Sequence, residues 1–338
     1  MTGRHAHRSP LSYPALRPLF ENHITLVDHP SAADLYVFAH VADIQEAPQE
    51  FVEDWRARHR PVLLLSEEPF WDTIWGGRPL DDIMYVDSAF GLLPVHQLNH
   101  HTSNIFNFDH LPYYLLTDHR FANAYRYRFS RNTKRSVQDW QDVFKASPVD
   151  VSFMFERRPE PYHAVHWPQA NIMGLCAWRT ELAQSCRSGR VERLGHSWSG
   201  APDRLMLTTD WHLDKLVRLD GRARLISAVE NTHQPAYITE KFFDAFACSA
   251  IPIYFASATH RIHELGLPSD SWLNLYEQPP QEAAQLVKDW LQRPTSHLAQ
   301  TMQSAQIRCL QILDDPATWN HERERLRRSV VDALACIL

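Results

Sequence analysis

Residues 228–255, AVENTHQPAYITEKFFDAFACSAIPIYF, constrain the fold more than any other stretch of this chain. An apolar run over 224–230 ends in Glu230 and Asn231. Polar turn residues follow, and Phe243, Phe246, Ala247 and Ala250 then recur at helical spacing over 239–249. A second apolar run covers 251–255. Strand, turn, helix and strand in that order make a βαβ unit, the building block of parallel sheets. Lys241 falls where the helix begins, and a cation there opposes the helix dipole by roughly 0.3–1 kcal/mol. A helix start with a lysine beside it is also suited to a phosphate, so an anionic ligand would turn a local fault into a function. An exposed helix start accounts for the same residues, with Glu240 favourable for the dipole and Lys241 solvated.

The alternation extends over much of the chain. Strands are expected at 24–27, 35–40, 62–65, 82–86, 149–155 and 272–276. Helices are expected at 47–58, 171–187, 280–292, 296–313 and 319–337. The run Val62-Leu63-Leu64-Leu65 has no polar alternation, as a buried parallel strand requires. Residues 98–145, rich in His, Asn, Arg and aromatics, read as loops and short helices, and KASPVD (145–150) as a linker. Gly76-Gly77 reads as a turn. At 338 residues the chain is long for one core and suits two. The expected boundaries are 1–147, 148–316 and a closing helix over 317–338.

Composition narrows the function classes. A net charge of −6 gives no general field for nucleic acid. The five cysteines are odd in number and none forms C-x-x-C, which fits a reducing, cytoplasmic setting and neither a disulfide framework nor a zinc site. The N-terminus MTGRHAHRSPLSYP lacks the apolar core of a signal peptide, and no run is long enough for a membrane span. With only 10 glycines there is no G-x-G-x-x-G or Walker loop, so helix ends and side chains would have to hold a nucleotide. The pairs His100-His101, His163-x-x-His166 and His260-x-x-His263 could offer metal ligands, but none sits in H-E-x-x-H or beside a cysteine pair. Ordinary hydrogen-bonding histidines are the reading preferred.

Ligands of open parallel sheets lie beyond the carboxyl ends of the strands. Two polar clusters fall at such ends: Glu67-Glu68 after VLLL, and Glu230-Asn231 after RLISAV.

The ordered residues Glu230, Asn231, Thr232, Tyr237, Ile238, Thr239, Glu240 and Lys241, followed by Ile251-Pro252-Ile253, resemble the signature of the family 10 glycosyltransferases, the α-1,3/1,4-fucosyltransferases. Val229 stands where that family usually has Phe. Arg179 in AWRTEL resembles the arginine that opens the family's donor domain. Glu67 in VLLLSEEPF loosely matches the glutamate that serves as its base, with Glu68 one residue on. The match is poor over about 96–145, the region that would shape the acceptor site.

The resemblance implies a GT-B fold, two Rossmann-like domains with parallel sheets facing an interdomain cleft. It implies an inverting transfer of L-fucose from GDP-fucose to a glycan hydroxyl, with Glu67 as base and Glu240 as the second catalytic residue, hydrogen-bonding the fucose and balancing its oxocarbenium character. Arg179, Glu230, Asn231, Tyr237, Thr239, Glu240 and Lys241 would bind the donor. No metal is required, although Mn²⁺ or Mg²⁺ could stimulate, and no D-x-D clamp is present. Lipopolysaccharide, capsule or N-acetyllactosamine-like glycans are the acceptors implied. The arginine-rich terminal helix would either pack on the sheet or touch an anionic inner-membrane surface. A transferase of another nucleotide sugar, and a non-catalytic nucleotide-sugar-binding module, are the competing readings.

Overall fold

The structure is a computed structural model that describes residues 1–88, 91–198 and 210–338. The chain forms two compact units. Unit 1 comprises residues 1–119, 167–170 and 317–338, and unit 2 comprises 120–166 and 171–316.

Unit 1 is built on a four-stranded sheet of β1 (Tyr36–Phe38), β2 (Val62–Leu65), β3 (Ile83–Ser88) and β4 (Gly91–Leu98), ordered β1-β2-β4-β3. β1, β2 and β4 run parallel, while β3 returns antiparallel along β4. Every residue of β2 is buried, whereas β3 alternates between exposed Ile83 and Tyr85 and buried Met84 and Val86. That is the period-2 pattern of a strand with one wet face. Helices α1 (Val41–Gln45) and α2 (Gln49–Arg58) close the core, in which Ile44, Phe51 and Val52 meet Phe38, Leu64 and Val95. Two short helical turns, α3 (Pro69–Trp71) and α4 (Tyr113–Leu116), follow the strand ends.

Unit 2 carries α5 (His119–Asn132, from Arg120), α6 (Val137–Ala146), β5 (Val149–Met154), β6 (His166–Trp167, up to His166), β7 (Ile172–Gly174), α7 (Cys176–Ser185), β8 (Val191–Leu194), α8 (Trp211–Leu219), β9 (Ala223–Ser227), β10 (Thr232–His233), α9 (Glu240–Ala247), β11 (Ile251–Tyr254), β12 (Leu273–Asn274), α10 (Pro280–Leu291) and α11 (Thr295–Asp314). Its main sheet has five strands, ordered β8-β5-β9-β11-β12, all parallel. Counted along the chain this is the order 2-1-3-4-5 of a doubly wound sheet, whose topological switch point lies between its first and third strands. Here those are β5 and β9. The protein is therefore mixed α/β with parallel sheets, compatible with a Rossmann-like fold.

Several expected elements differ. Residues 24–27 form no strand: Leu26 is exposed and no ladder partner exists for the run among the described residues. β4 and α8 were not expected, and within 98–145, read as loops and short helices, α5 and α6 run to 14 and 10 residues. The stretch 145–150 is no linker, because Lys145 and Ala146 end α6, the Ser147 hydroxyl donates to the Val143 carbonyl at 3.0 Å, and Val149 opens β5. α6 packs on α11, burying Trp140 and Phe144, so α5 and α6 group with unit 2 and the division falls at 119–120 where 147–148 was expected.

The closing helix α12 (Pro316–Ala335) belongs to unit 1 from Ala317 onward. Trp319, Leu326, Val330 and Leu334 form its buried stripe, so the apolar face a membrane-lying helix would offer is turned inward. Glu322 is also fully buried on this stripe, and its Oε1 accepts from the backbone N–H groups of Asp109 and Leu111 at 2.8 and 3.1 Å. Among the described residues no helix is long and apolar enough to cross a membrane.

Candidate functional site

In unit 2 the motif residues attach to the segment that leaves β9, Arg179 at Val229 and the start of α9 at Glu230. α7 buries Arg179 to 3% exposure. The guanidinium lies over the Phe155 ring, 4.7 Å from its centroid, and its Nη1 donates to the Val229 carbonyl at 3.1 Å. Phe155 follows β5 and Val229 follows β9, so one cation spans the two strand ends that flank the switch point. Its Nε–H has no acceptor among the described residues. Buried donors are seldom left unpaired, and a buried arginine with unused N–H groups suits a planar, bidentate anion. Ser227 Oγ at the end of β9, and Thr232 Oγ1 and Gln234 Nε2 beyond it, are buried and also lack partners among the described residues. Gly195, beyond β8, has φ 119°, and a Cβ there would stand 2.4 Å from the Phe155 carbonyl oxygen. Only glycine fits this close approach beside the switch point.

The first turn of α9 is wired to the end of β9. Thr239 caps the helix, its hydroxyl accepting from the Lys241 N–H at 3.4 Å. Glu230 Oε1 accepts from the Thr239 N–H at 2.8 Å, and Oε2 from Lys241 Nζ at 2.9 Å. Lys241 Nζ stands 3.6 Å from Glu240 Oε1. Two carboxylates beside Lys241 thus answer the adverse helix dipole. Burial raises the Glu230 carboxyl above its ordinary value in spite of Lys241. Burial would also raise Glu240, but Lys241 and Lys215 reverse it and hold that carboxyl below its ordinary value. The Glu240 and Lys241 side chains keep 11% and 22% of their surface exposed, against 3% for Glu230.

The structure therefore divides the expected donor residues. Glu240 and Lys241 keep part of their side chains exposed, and Arg179 is buried with its Nε–H unpartnered among the described residues. Glu230 and Thr239 are internal wiring. Asn231 is half-buried beside α7, its carbonyl accepting from the Leu175 N–H at 2.8 Å. Tyr237 is buried, and its carbonyl accepts from the Tyr254 hydroxyl at 3.3 Å.

In unit 1, Glu67 lies past the end of β2 and is fully buried. Its Oε1 accepts from Arg8 Nε at 2.8 Å and from the Tyr13 hydroxyl at 2.6 Å, and its Oε2 accepts from the Tyr113 hydroxyl at 2.8 Å. Burial and the Glu67 charge hold the Tyr13 phenol in its protonated, donating form. The Tyr114 hydroxyl donates to the Glu67 carbonyl at 2.7 Å, and His100 Nε2 lies 3.0 Å from the same oxygen. Burial pushes His100 down to about 3, so it is neutral at pH 7. Arg8 also reaches Glu68 Oε2, at 3.2 Å. Glu68 keeps 11% of its side chain exposed, so of the two acidic residues it is Glu68 that reaches the surface.

Four groups of this cluster, Arg8, Tyr13, Tyr113 and Tyr114, were not foreseen. They come from loops and a short turn with no pattern of their own. Asp72 lies alongside, buried, and its Oδ2 has no hydrogen-bond partner among the described residues. Burial outweighs the help of the Ser66 hydroxyl and, with the Glu68 charge, pushes the Asp72 carboxyl up to about 8. A carboxyl raised this way favours the fold most below its unfolded value near 4, and costs stability as pH climbs toward 8. Asp72→Asn is accordingly expected to raise the thermal midpoint at pH 8 and leave it nearly unchanged at pH 4. Melting curves at the two pH values check this.

The His260–His263 pair serves the fold. His260 Nδ1 accepts from the Ile262 N–H at 3.1 Å as a helix cap, and His263 Nε2 lies 3.0 Å from the Ser257 carbonyl. Among the described residues no three His, Cys, Asp or Glu side chains gather as a metal site would. No protein-family model matches the chain, and no curated protein matches it.

Proposed function

We propose that this chain is an inverting glycosyltransferase that binds a nucleoside-diphosphate sugar, GDP-fucose by resemblance, on unit 2 and transfers the sugar to a glycan hydroxyl. The observation that carries the reading is Arg179. A buried cation with an unused N–H spans the switch-point strand ends of a 2-1-3-4-5 sheet, and the motif lysine stands at the start of α9. The reading takes unit 2 as the donor side and unit 1 as the acceptor side of a GT-B transferase.

In the proposed reaction an acceptor oxygen attacks the anomeric carbon. Its proton passes to a carboxylate of the Glu67–Glu68 pair, and the bond from the anomeric carbon to the phosphate oxygen breaks. GDP leaves with its charge met by Arg179, Lys241 and the first N–H groups of α9, donors already in place before charge develops. Glu240 faces the positive character of the sugar ring. These residues need no metal to neutralise the diphosphate, and Mn²⁺ or Mg²⁺ would act only as a stimulant.

Lys241→Ala tests the donor half. Removing a charged donor is expected to weaken GDP binding by roughly 10- to 100-fold, from about 1.5–3 kcal/mol for a hydrogen bond to a charged group. Unchanged GDP affinity by calorimetry would sink this reading. A panel of nucleotide sugars scored by nucleotide release separates GDP-fucose from other donors.

A further inference from the structure

The turn that follows Glu67-Glu68 carries an aromatic surface that the proposed transfer does not use. α3 runs on into a π-helical turn, Asp72–Gly76. π-helical turns are rare, and functional sites are frequent near them. This one turns Trp75 outward with 50% of its surface exposed. Trp75 is the one exposed tryptophan among the described residues.

A single apolar side chain at a surface needs no explanation. Trp75 differs because its indole is braced from below. The Phe70 ring meets it edge-on with centroids 5.1 Å apart, and the His40 ring tilts against it at 5.5 Å. His40 lies 4.6 Å from the Trp71 ring and stacks on His5 at 4.4 Å. The Arg8 guanidinium, which binds Glu67 and Glu68, lies 5.3 Å from the centre of the Trp71 ring. One run of packed groups thus leads from the carboxylate pair to the exposed indole, all of it within unit 1. The two residues after Trp75 are glycines, so neither adds a side chain beside the ring. A Cβ on Gly76 would meet only the Trp71 carbonyl, at 3.9 Å, and one on Gly77 nothing within 4 Å.

A large rigid ring that is already held in place binds with little further loss of side-chain freedom. The ligand chemistry follows from what surrounds it. Within α3 and the π-helical turn no other large hydrophobic side chain is exposed, so a lipid surface or an apolar protein face finds too small a patch. The C–H face of a pyranose ring matches one indole in size. Its hydroxyls need polar neighbours, and Arg8, Glu68 and His5 all keep part of their side chains exposed along the same run.

We propose that Trp75 is a specificity-determining platform on which a pyranose unit of the acceptor glycan stacks, with the reacting hydroxyl turned toward the Glu67–Glu68 pair. This role rests on the proposed reading of unit 1 as the acceptor side.

The test is glycan binding by the full chain, with and without GDP, measured by NMR titration. The probes are methyl β-galactoside, methyl N-acetyl-β-glucosaminide and N-acetyllactosamine. The parent chain is expected to bind at least one of them, and Trp75→Ala to bind it at least about tenfold less tightly, the usual loss for a central tryptophan. Trp75→Phe keeps a flat ring and is expected to stay within about threefold of the parent. GDP affinity and the thermal midpoint are expected to be unchanged in both variants. Equal glycan affinity in Trp75→Ala and the parent, or no probe bound by the parent, would overturn the platform. So would a loss of glycan binding matched by a loss of GDP binding and a lowered midpoint, which would make Trp75 a structural residue. Glycan binding is read without transfer. A chain that holds glycan through Trp75 but neither binds GDP nor transfers a sugar would sink the proposed function and leave the platform standing.

Discussion

Arg179→Ala is expected to reduce GDP binding by at least roughly 100-fold, the largest loss of any single change in unit 2. The reasoning is geometric. A bidentate arginine–phosphate contact is stronger than a lysine contact, and the effect grows where water is excluded. Arg179 is 3% exposed, sits on the Phe155 ring and reaches the Val229 carbonyl, so its plane is fixed before any ligand arrives. The alanine variant also leaves a buried carbonyl unpaired and loses the stacked contact, which together cost about 1–3 kcal/mol of stability. Arg179→Lys isolates the ligand effect. It keeps the charge but loses the fork, and is expected to hold GDP about tenfold less tightly. Calorimetry on both variants, beside melting curves, decides. If Arg179→Lys binds GDP like the parent, the arginine is a packing residue and the switch point is not the diphosphate site.

The second large effect concerns the acceptor side. Glu67→Gln is expected to lower transfer by roughly 10²–10⁴-fold while GDP binding persists, the usual loss when a positioned base is removed. Because Glu67 holds Arg8, Tyr13 and Tyr113, the same change is expected to lower the thermal midpoint. Glu68→Gln separates structure from chemistry, since Glu68 is the one with exposed surface. A full loss of transfer in Glu68→Gln with an unchanged midpoint would assign the base to Glu68 and leave Glu67 as the anchor that aims Arg8. Normal turnover in both variants would remove the pair from the reaction.

What was legible in the sequence follows from how local each signal is. β2 and β11 bury every residue, and their unbroken apolar runs place them to within a residue. The start of α9 was readable because its cap, Thr239, and its charged neighbours are adjacent in sequence. The run at 24–27 misled because β-branched residues suit a pleated surface only when a neighbouring strand exists to pack on, and none adjoins it among the described residues. α5 was hidden for the opposite reason. Phe121, Tyr125 and Phe129 recur at intervals of four, but Arg120, Arg126, Arg128 and Arg131 dilute the stripe. Those arginines are not solvated excess, since three of them hold α8. The hub at Glu67 was beyond reach from one sequence. Arg8 and Tyr113 are 59 and 46 residues from Glu67. No local pattern couples residues so distant.

The division of the chain also sets an order of events during synthesis. Unit 2 needs nothing beyond Pro316, so all of its sequence is made before α12 is. Unit 1 takes residues from both sides of it. Until α12 emerges, the Asp109 and Leu111 N–H groups lack the Glu322 carboxylate that receives them, and the surface that covers Leu326 and Val330 stays open to water. Domains generally fold as units as they are made. The half that is translated first is therefore the half completed last. The nascent chain carries unit 1 without its closing helix through the synthesis of some two hundred residues (Arg120–Pro316), a window in which a chaperone, or a faulty pairing of the edge strand β3, has its opportunity.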